Sequence, residues 1–292
     1  MLKLLMCPPT YLDTKIPNNK WMEDIPPEQR KVDREIAMKQ FHDLYSILSE
    51  YALIYIVPPK PHLQDQVYAT NFGVYLPHLD NVIILSKFRA EGRSGEEVEA
   101  EKFLSELGYE CYYCPYYFEG EAELKWVRDN LYIGGYGVRS EEKALDWISE
   151  NFDAKIIKVK ETDPYLYHLD CWIFPLSTDY VLAYEAIEKD TMKEIEKEVN
   201  VIPVTKEMAY AGINNSVRCQ YTIINADNLG AYSTDSDAYK WEQLKNQKLE
   251  EICRQFGLNL YYVELTEYLK SGALLSCLIM HLSREEITLG GT

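Results

Sequence analysis

The chain has 292 residues, 47% of them hydrophobic and 26% charged, enough for one large domain or two medium ones. Its formal net charge of −17 disfavours nucleic acid and anionic membranes as partners, because both reward a basic face, and no run approaches the ~20 apolar residues of a membrane span. Seven cysteines, an odd number at irregular spacing, give no disulfide framework and point to free thiols in the cytoplasm.

In chain order, Leu2-Lys3-Leu4-Leu5-Met6 reads as a buried first strand. Residues 29–50 then show helical spacing through Val32, Ile36, Phe41, Leu44 and Leu48, and lead into the strand-like run 53–57. The same order of helix then strand recurs at 95–107 into 109–113, 140–150 into 154–159, 188–198 into 199–204 and 238–255 into 258–263. Further strands are expected at 67–76, 81–88, 131–137, 171–176, 180–185, 217–224 and 277–282. Five helix–strand units spaced roughly 45–60 residues apart suggest a repeat architecture. No proline- or glycine-rich linker divides them, so residues 1–282 are expected to form one α/β domain and 283–292 a polar tail. A plain doubly wound sheet is the alternative.

Four segments carry chemistry. Cys277 lies between a glycine-containing break at Ser271-Gly272 and an apolar run, which delivers one thiol to a fixed point; only its thiolate would be a nucleophile. His168 and Asp170 stand two apart before an apolar strand, which would place both on one face. Glu119-Gly120-Glu121-Ala122-Glu123 gathers carboxylates beside a glycine, and Asp65 and Asn71 bracket a loop–strand–loop. Taken singly, these segments also read as a structural histidine, a solvated acidic turn and turn caps. Cys111 and Cys114 form a lone pair with no second pair for a zinc site, so no metal is expected.

Together, from Met6-Cys7-Pro8-Pro9 to Leu282, these segments resemble the guanidine-modifying, or pentein, superfamily of arginine deiminases, dimethylarginine dimethylaminohydrolases, amidinotransferases and arginine dihydrolases. The resemblance implies a five-bladed α/β propeller around a central cleft, with no cofactor. It implies that Cys277 is the nucleophile, His168 the proton-transfer group and Glu119 a guanidinium-holding carboxylate. Asp65 and Asp170 fall among substrate contacts, and Arg93 and Arg139 match arginines that hold a substrate carboxylate or brace the site. Two departures stand out. The family's Glu-Gly-Gly-Asp is replaced by Glu119-Gly120-Glu121-Ala122-Glu123, and Asn71 stands where deiminases carry aspartate. Arginine dihydrolases resemble the chain in having that asparagine. Their Asn-Pro-Trp-Met is matched by Asn19-Lys20-Trp21-Met22, which adds Asn19 as a substrate contact.

The implied partner is a small cationic guanidino compound, with self-association left open. The implied activity is hydrolysis of a guanidinium group, as in arginine dihydrolase or deiminase, through a covalent cysteine intermediate. The dimethylaminohydrolase and amidinotransferase activities are the alternatives, and a non-catalytic binding protein is a more distant one.

Overall fold

The computed structural model describes residues 1–290 and builds them into five three-stranded sheets. The central strands are β1 (Leu2–Met6), β4 (Val82–Leu85), β7 (Leu131–Tyr136), β10 (Tyr180–Tyr184) and β13 (Thr222–Ala226). Each runs parallel to the strand that follows its helix: β2 (Ala52–Ile56), β5 (Glu110–Tyr113), β8 (Lys155–Lys160), β11 (Asn200–Val204) and β14 (Asn259–Val263). On its other edge each pairs antiparallel with a short strand: β3 (Gly73–Tyr75), β6 (Leu124–Arg128), β9 (Ile173–Pro175), β12 (Val217–Cys219) and β15 (Met280–His281). The central strands are near-continuous apolar runs because both of their faces are covered. The fifth sheet takes β1 from the start of the chain and β15 from its end, with Leu4 opposite His281.

The crossover helices are α2 (Arg34–Ser49), α3 (Glu96–Glu106), α4 (Glu142–Phe152), α5 (Lys189–Glu198) and α7 (Asp237–Phe256), and three short helices fill connections: α1 (Lys20–Asp24), α6 (Lys206–Tyr210) and α8 (Thr266–Leu269). In α2 the Asp33 carboxylate caps the N–H groups of Glu35 and Ile36, and Ala37, Phe41, Leu44 and Leu48 bury one stripe against the sheet. Ser236 caps α7 in the same way, and Gly257, in the left-handed region at φ 66°, ends it. No helix among the described residues is long and apolar enough to cross a membrane.

Several expectations change. The run 217–224 is not one strand but the hairpin β12–β13, turned at Gln220, whose φ of 52° suits a tight two-residue loop. Residues 67–76 and 277–282 each open with a 3-10 turn, Ala69–Asn71 and Ser276–Leu278, so Cys277 sits on a turn and the strand begins only at Met280. The strand β6 was not anticipated: its mix of Lys125, Trp126 and Arg128 among apolar residues hides the pattern. Residues 283–290 run irregularly but are held down: the Thr178 N–H donates to the Ile287 carbonyl and the Leu289 N–H to Asp179.

Candidate functional site

The same feature recurs in all five units: a tight turn just before the short antiparallel strand. Four are 3-10 turns, Ala69–Asn71, Gly120–Ala122, Leu169–Cys171 and Ser276–Leu278. The fifth is the turn over 211–215, closed by the Asn215 N–H donating to the Gly212 carbonyl at 3.1 Å. These turns supply Asn71, Glu119, His168, Asp170, Asn215 and Cys277, all buried. One of them requires a glycine. Gly120 has a φ of 67°, and a Cβ there would lie 2.9 Å from the Thr70 and Gly73 carbonyls and the Ser86 hydroxyl. That close packing is what turns Glu119 and Glu121 in different directions.

Around the thiol, Cys277 Sγ lies 3.4 Å from Asn215 Oδ1 and 3.8 Å from Asp170 Oδ2. The Ser276 hydroxyl is 2.7 Å from the same Asp170 oxygen and 2.8 Å from Asn215 Oδ1. Asn215 Nδ2 donates to the Asp170 carbonyl, which fixes the amide. Burial pushes the Cys277 thiol far above its usual range, and the Asp170 carboxylate pushes it further. The unliganded thiol is therefore protonated, and a cation placed against it is what would release its proton.

A second group contains His168 and Glu119. His168 Nε2 is 2.7 Å from Glu119 Oε2, and Arg139 Nη1 donates to both Glu119 oxygens at 3.3 Å. Burial opposes the charged carboxylate. The Arg139 guanidinium and the histidine outweigh it and hold Glu119 well below the carboxylate range. Among the described residues Cys277 and His168 make no hydrogen bond to one another, although both line one cavity of about 400 Å3. Asp170, Asn215 and the rings of Trp21, Tyr165, Tyr167 and Tyr210 also line it, a size and lining suited to a small organic ligand.

His168 and Asp170 do not share a face. His168 is extended, and Asp170 lies inside the turn that follows, so the first side chain reaches Glu119 and the second reaches Ser276 and Cys277. Asn71 donates to the Glu119 carbonyl at 3.0 Å and accepts from Arg93 Nη1 at 2.9 Å. Arg93 is otherwise engaged by both oxygens of Glu96, at 2.7 and 3.1 Å. Asp65 Oδ2 accepts from Asn18 Nδ2 at 2.8 Å, while its Oδ1 is buried without a partner. Asn19 caps α1 through the Met22 N–H and donates to the Ser271 carbonyl, and the Asn18 carbonyl accepts from Arg139. Residues 18–24 thus lie over the Asp65 and Arg139 side chains, anchored by the Trp21 indole on the Tyr165 carbonyl at 2.7 Å.

Three groups have placements that the sequence reading did not assign. Asn215 and Ser276 touch the thiol's immediate partners; the clue is position, since both occupy the turn that carries polar residues in every unit. Behind His168 lies a buried acid pair, Glu123 and Glu161. A Cβ at Gly135 would stand 2.4 Å from Glu161 Oε1 and 2.7 Å from Glu123 Oε2, so glycine is what allows the two carboxyls to meet. Glu123 accepts from the Leu169 N–H and the Ser140 hydroxyl, whereas both Glu161 oxygens lack a donor. Burial, and then Glu123, push Glu161 well above the carboxylate range, so the pair holds a proton.

Five α/β units that bring a thiol, a histidine and several carboxylates to the turns at one end of their strands define a class, and that class has solved members. The N-terminal domain of ArgZ, described as an arginine dihydrolase from cyanobacteria and captured with substrate, superposes with a TM-score of 0.83 at 28% identity over 97% of this chain and 98% of that one. A variant of the same domain covalently bound to a reaction intermediate superposes equally well, at 0.83. The chain belongs to the family described as N,N dimethylarginine dimethylhydrolase, eukaryotic, whose profile matches residues 9–284. It is 30% identical, over 98% of its length, to the bifunctional arginine dihydrolase/ornithine cyclodeaminase AgrE of Nostoc sp., of which it spans 39%. A 27% identity links 61% of the chain to 57% of the N(G),N(G)-dimethylarginine dimethylaminohydrolase of Mycobacterium tuberculosis. The chain spans about two fifths of the two bifunctional relatives it matches.

Proposed function

We propose that the protein hydrolyses the guanidinium group of arginine or a close analogue through a covalent intermediate on Cys277, and that it does so twice, as an arginine dihydrolase. The observation that carries the reading is the thiol's setting: a buried, protonated Cys277 sharing one cavity with His168, whose partner Glu119 is charged. A bound guanidinium supplies the missing positive charge. Asp170, in the wall of that cavity, and Asp65, with one unpartnered oxygen, are assigned to accept its N–H groups. As the cation binds, the thiol's proton passes to His168, and Sγ attacks the guanidinium carbon. His168, oriented by Glu119, protonates the first departing nitrogen, and ammonia leaves. Water deprotonated by His168 then adds to the thiol-bound carbon. If Sγ leaves at that point, the product is citrulline. A second loss of ammonia and addition of water gives ornithine and carbon dioxide, so that arginine and two waters yield ornithine, carbon dioxide and two ammonia molecules.

The second hydrolysis is assigned to Asn71, the residue that departs from the deiminase pattern. Its amide donates to the Glu119 carbonyl and accepts from Arg93, an arrangement a carboxylate could not reproduce. Asn71→Asp is expected to shift the products of arginine from ornithine toward citrulline. Unchanged ornithine output by mass spectrometry would remove Asn71 from this role. The relatives' descriptions as arginine dihydrolases support the reading. The family's own description favours a second one, release of dimethylamine from dimethylarginine; incubation with arginine, dimethylarginine and agmatine separates the two by product.

The proposal extends to the architecture. Residues 1–282 act as one domain, with the five sheets closed in a ring by the β1–β15 pairing. Arg139 and Arg93 brace Glu119 and Asn71, and Asn18 and Asn19 hold the covering segment that must yield as substrate enters. A cytoplasmic setting and the absence of a cofactor belong to the same reading.

A further inference from the structure

A second polar cavity, of about 50 Å3, adjoins the first group only through Ser276. Its volume admits a few waters or one small ion in their place. Its wall carries Lys125, Arg218, Arg284, His281 and one acid, Glu121. That acid is already engaged: Glu121 Oε1 accepts from Arg284 Nη2 at 2.6 Å and from His281 Nδ1 at 2.7 Å, and its other oxygen accepts from the His281 N–H. Burial, with Arg284 beside it, holds His281 down at about 4, so at neutral pH it is an uncharged donor.

The remaining cations keep donors without acceptors. Lys125 is only 7% exposed, lines the cavity, and among the described residues makes neither a hydrogen bond nor an ion pair. Arg218 spends two N–H groups on the Gln220 and Glu285 carbonyls, but its Nε is buried without an acceptor. A largely buried ammonium that no acceptor contacts is costly for a fold to carry, even with the Glu121 charge in the same cavity wall. The concentration is the more telling in a chain of formal net charge −17, whose overall field repels anions.

We infer that this cavity binds a small inorganic oxyanion, held by Lys125 and Arg218 with Arg284 at its rim. Two cations with spare donors and a cavity of this size fit a compact ion with several acceptor oxygens better than a long carboxylic acid. The site is separate from the one that takes the guanidino compound, which is a cation.

The test uses the full chain in chloride buffer, titrated at constant ionic strength with inorganic phosphate and, separately, with bicarbonate. The melting temperature is expected to rise with concentration for at least one of them, as it does when a ligand binds only the folded state. Lys125→Met should abolish that rise. Arg218→Gln should weaken apparent affinity by about tenfold, the loss of one charge-assisted hydrogen bond. In crystals soaked with selenate, an anomalous peak should lie within hydrogen-bonding reach of Lys125 Nζ. The inference is overturned if neither oxyanion raises the melting temperature, or if the rise persists in Lys125→Met. Should Lys125→Met not fold, the Arg218→Gln titration and the selenate peak decide: an unchanged affinity or an empty cavity overturns it.

Discussion

Two carboxylates two residues apart, Glu119 and Glu121, each hold one histidine and one arginine, yet they sit in different chemistry. Glu119 meets His168 Nε2 at 2.7 Å and shares Arg139 across both oxygens at 3.3 Å. Glu121 meets His281 Nδ1 at 2.7 Å and Arg284 at 2.6 Å. In both, burial opposes the charge and the cations outweigh it, so both carboxyls stay ionised. The difference is what the histidine faces. His168 opens onto the cavity that holds Cys277 and Asp170, while His281 is tied to β15 and faces Lys125 and Arg218. A Glu–His–Arg set is therefore not chemistry in itself; its place relative to a thiol and a cavity makes it so.

Variants break that comparison in order of size. Cys277→Ser should lower turnover of arginine by about 10^4-fold or more with the fold intact, because no other group present replaces the nucleophile. Glu119→Gln should cost about 10^2- to 10^3-fold in kcat, since His168 loses the hydrogen-bonded carboxylate that orients it. Glu121→Gln should leave kcat within a few-fold and instead lower stability by about 3 kcal/mol in denaturant unfolding, as a broken buried ion pair does. Equal losses of kcat in the two variants would erase the distinction. The smallest effect concerns Glu161. Its folded pKa lies above the ordinary carboxylate value of 4.5, so the native state binds the extra proton and loses stability as pH rises through and above that value. Glu161→Gln removes this cost. Relative to the parent it should gain stability progressively as pH rises above the ordinary carboxylate value of 4.5. A pH-independent difference would contradict the buried acid pair.

Much of this was legible in the chain and the rest was hidden for physical reasons. The five crossover helices and their parallel strands announce themselves because amphipathic spacing and apolar runs follow from burial. The short strand β6 does not, because Lys125, Trp126 and Arg128 break its pattern, and the expected runs 171–176 and 217–224 hold β9 and β12 without showing the turns beside them. The resemblance singled out Cys277, Glu119 and His168 through several segments, and in the fold Cys277 and His168 line one cavity with Glu119 hydrogen-bonded to the histidine. What the residues alone misjudged was geometry. Period two placed His168 and Asp170 on one face, whereas a 3-10 turn sends one to Glu119 and the other to Ser276. Asn215 and Glu161 were missed, and Glu123 was seen only as one of a run of carboxylates, because their roles come from contacts some 40 to 60 residues away in sequence, which no local pattern encodes.

The central claim is that Cys277 attacks a guanidinium carbon. Rapid acid quench of the protein with arginine, followed by peptide mapping, tests it most directly. An amidino-type adduct on the Cys277 peptide during turnover, absent in Cys277→Ser, is the predicted result. An unmodified Cys277 during turnover, or turnover that survives in Cys277→Ser, would contradict it.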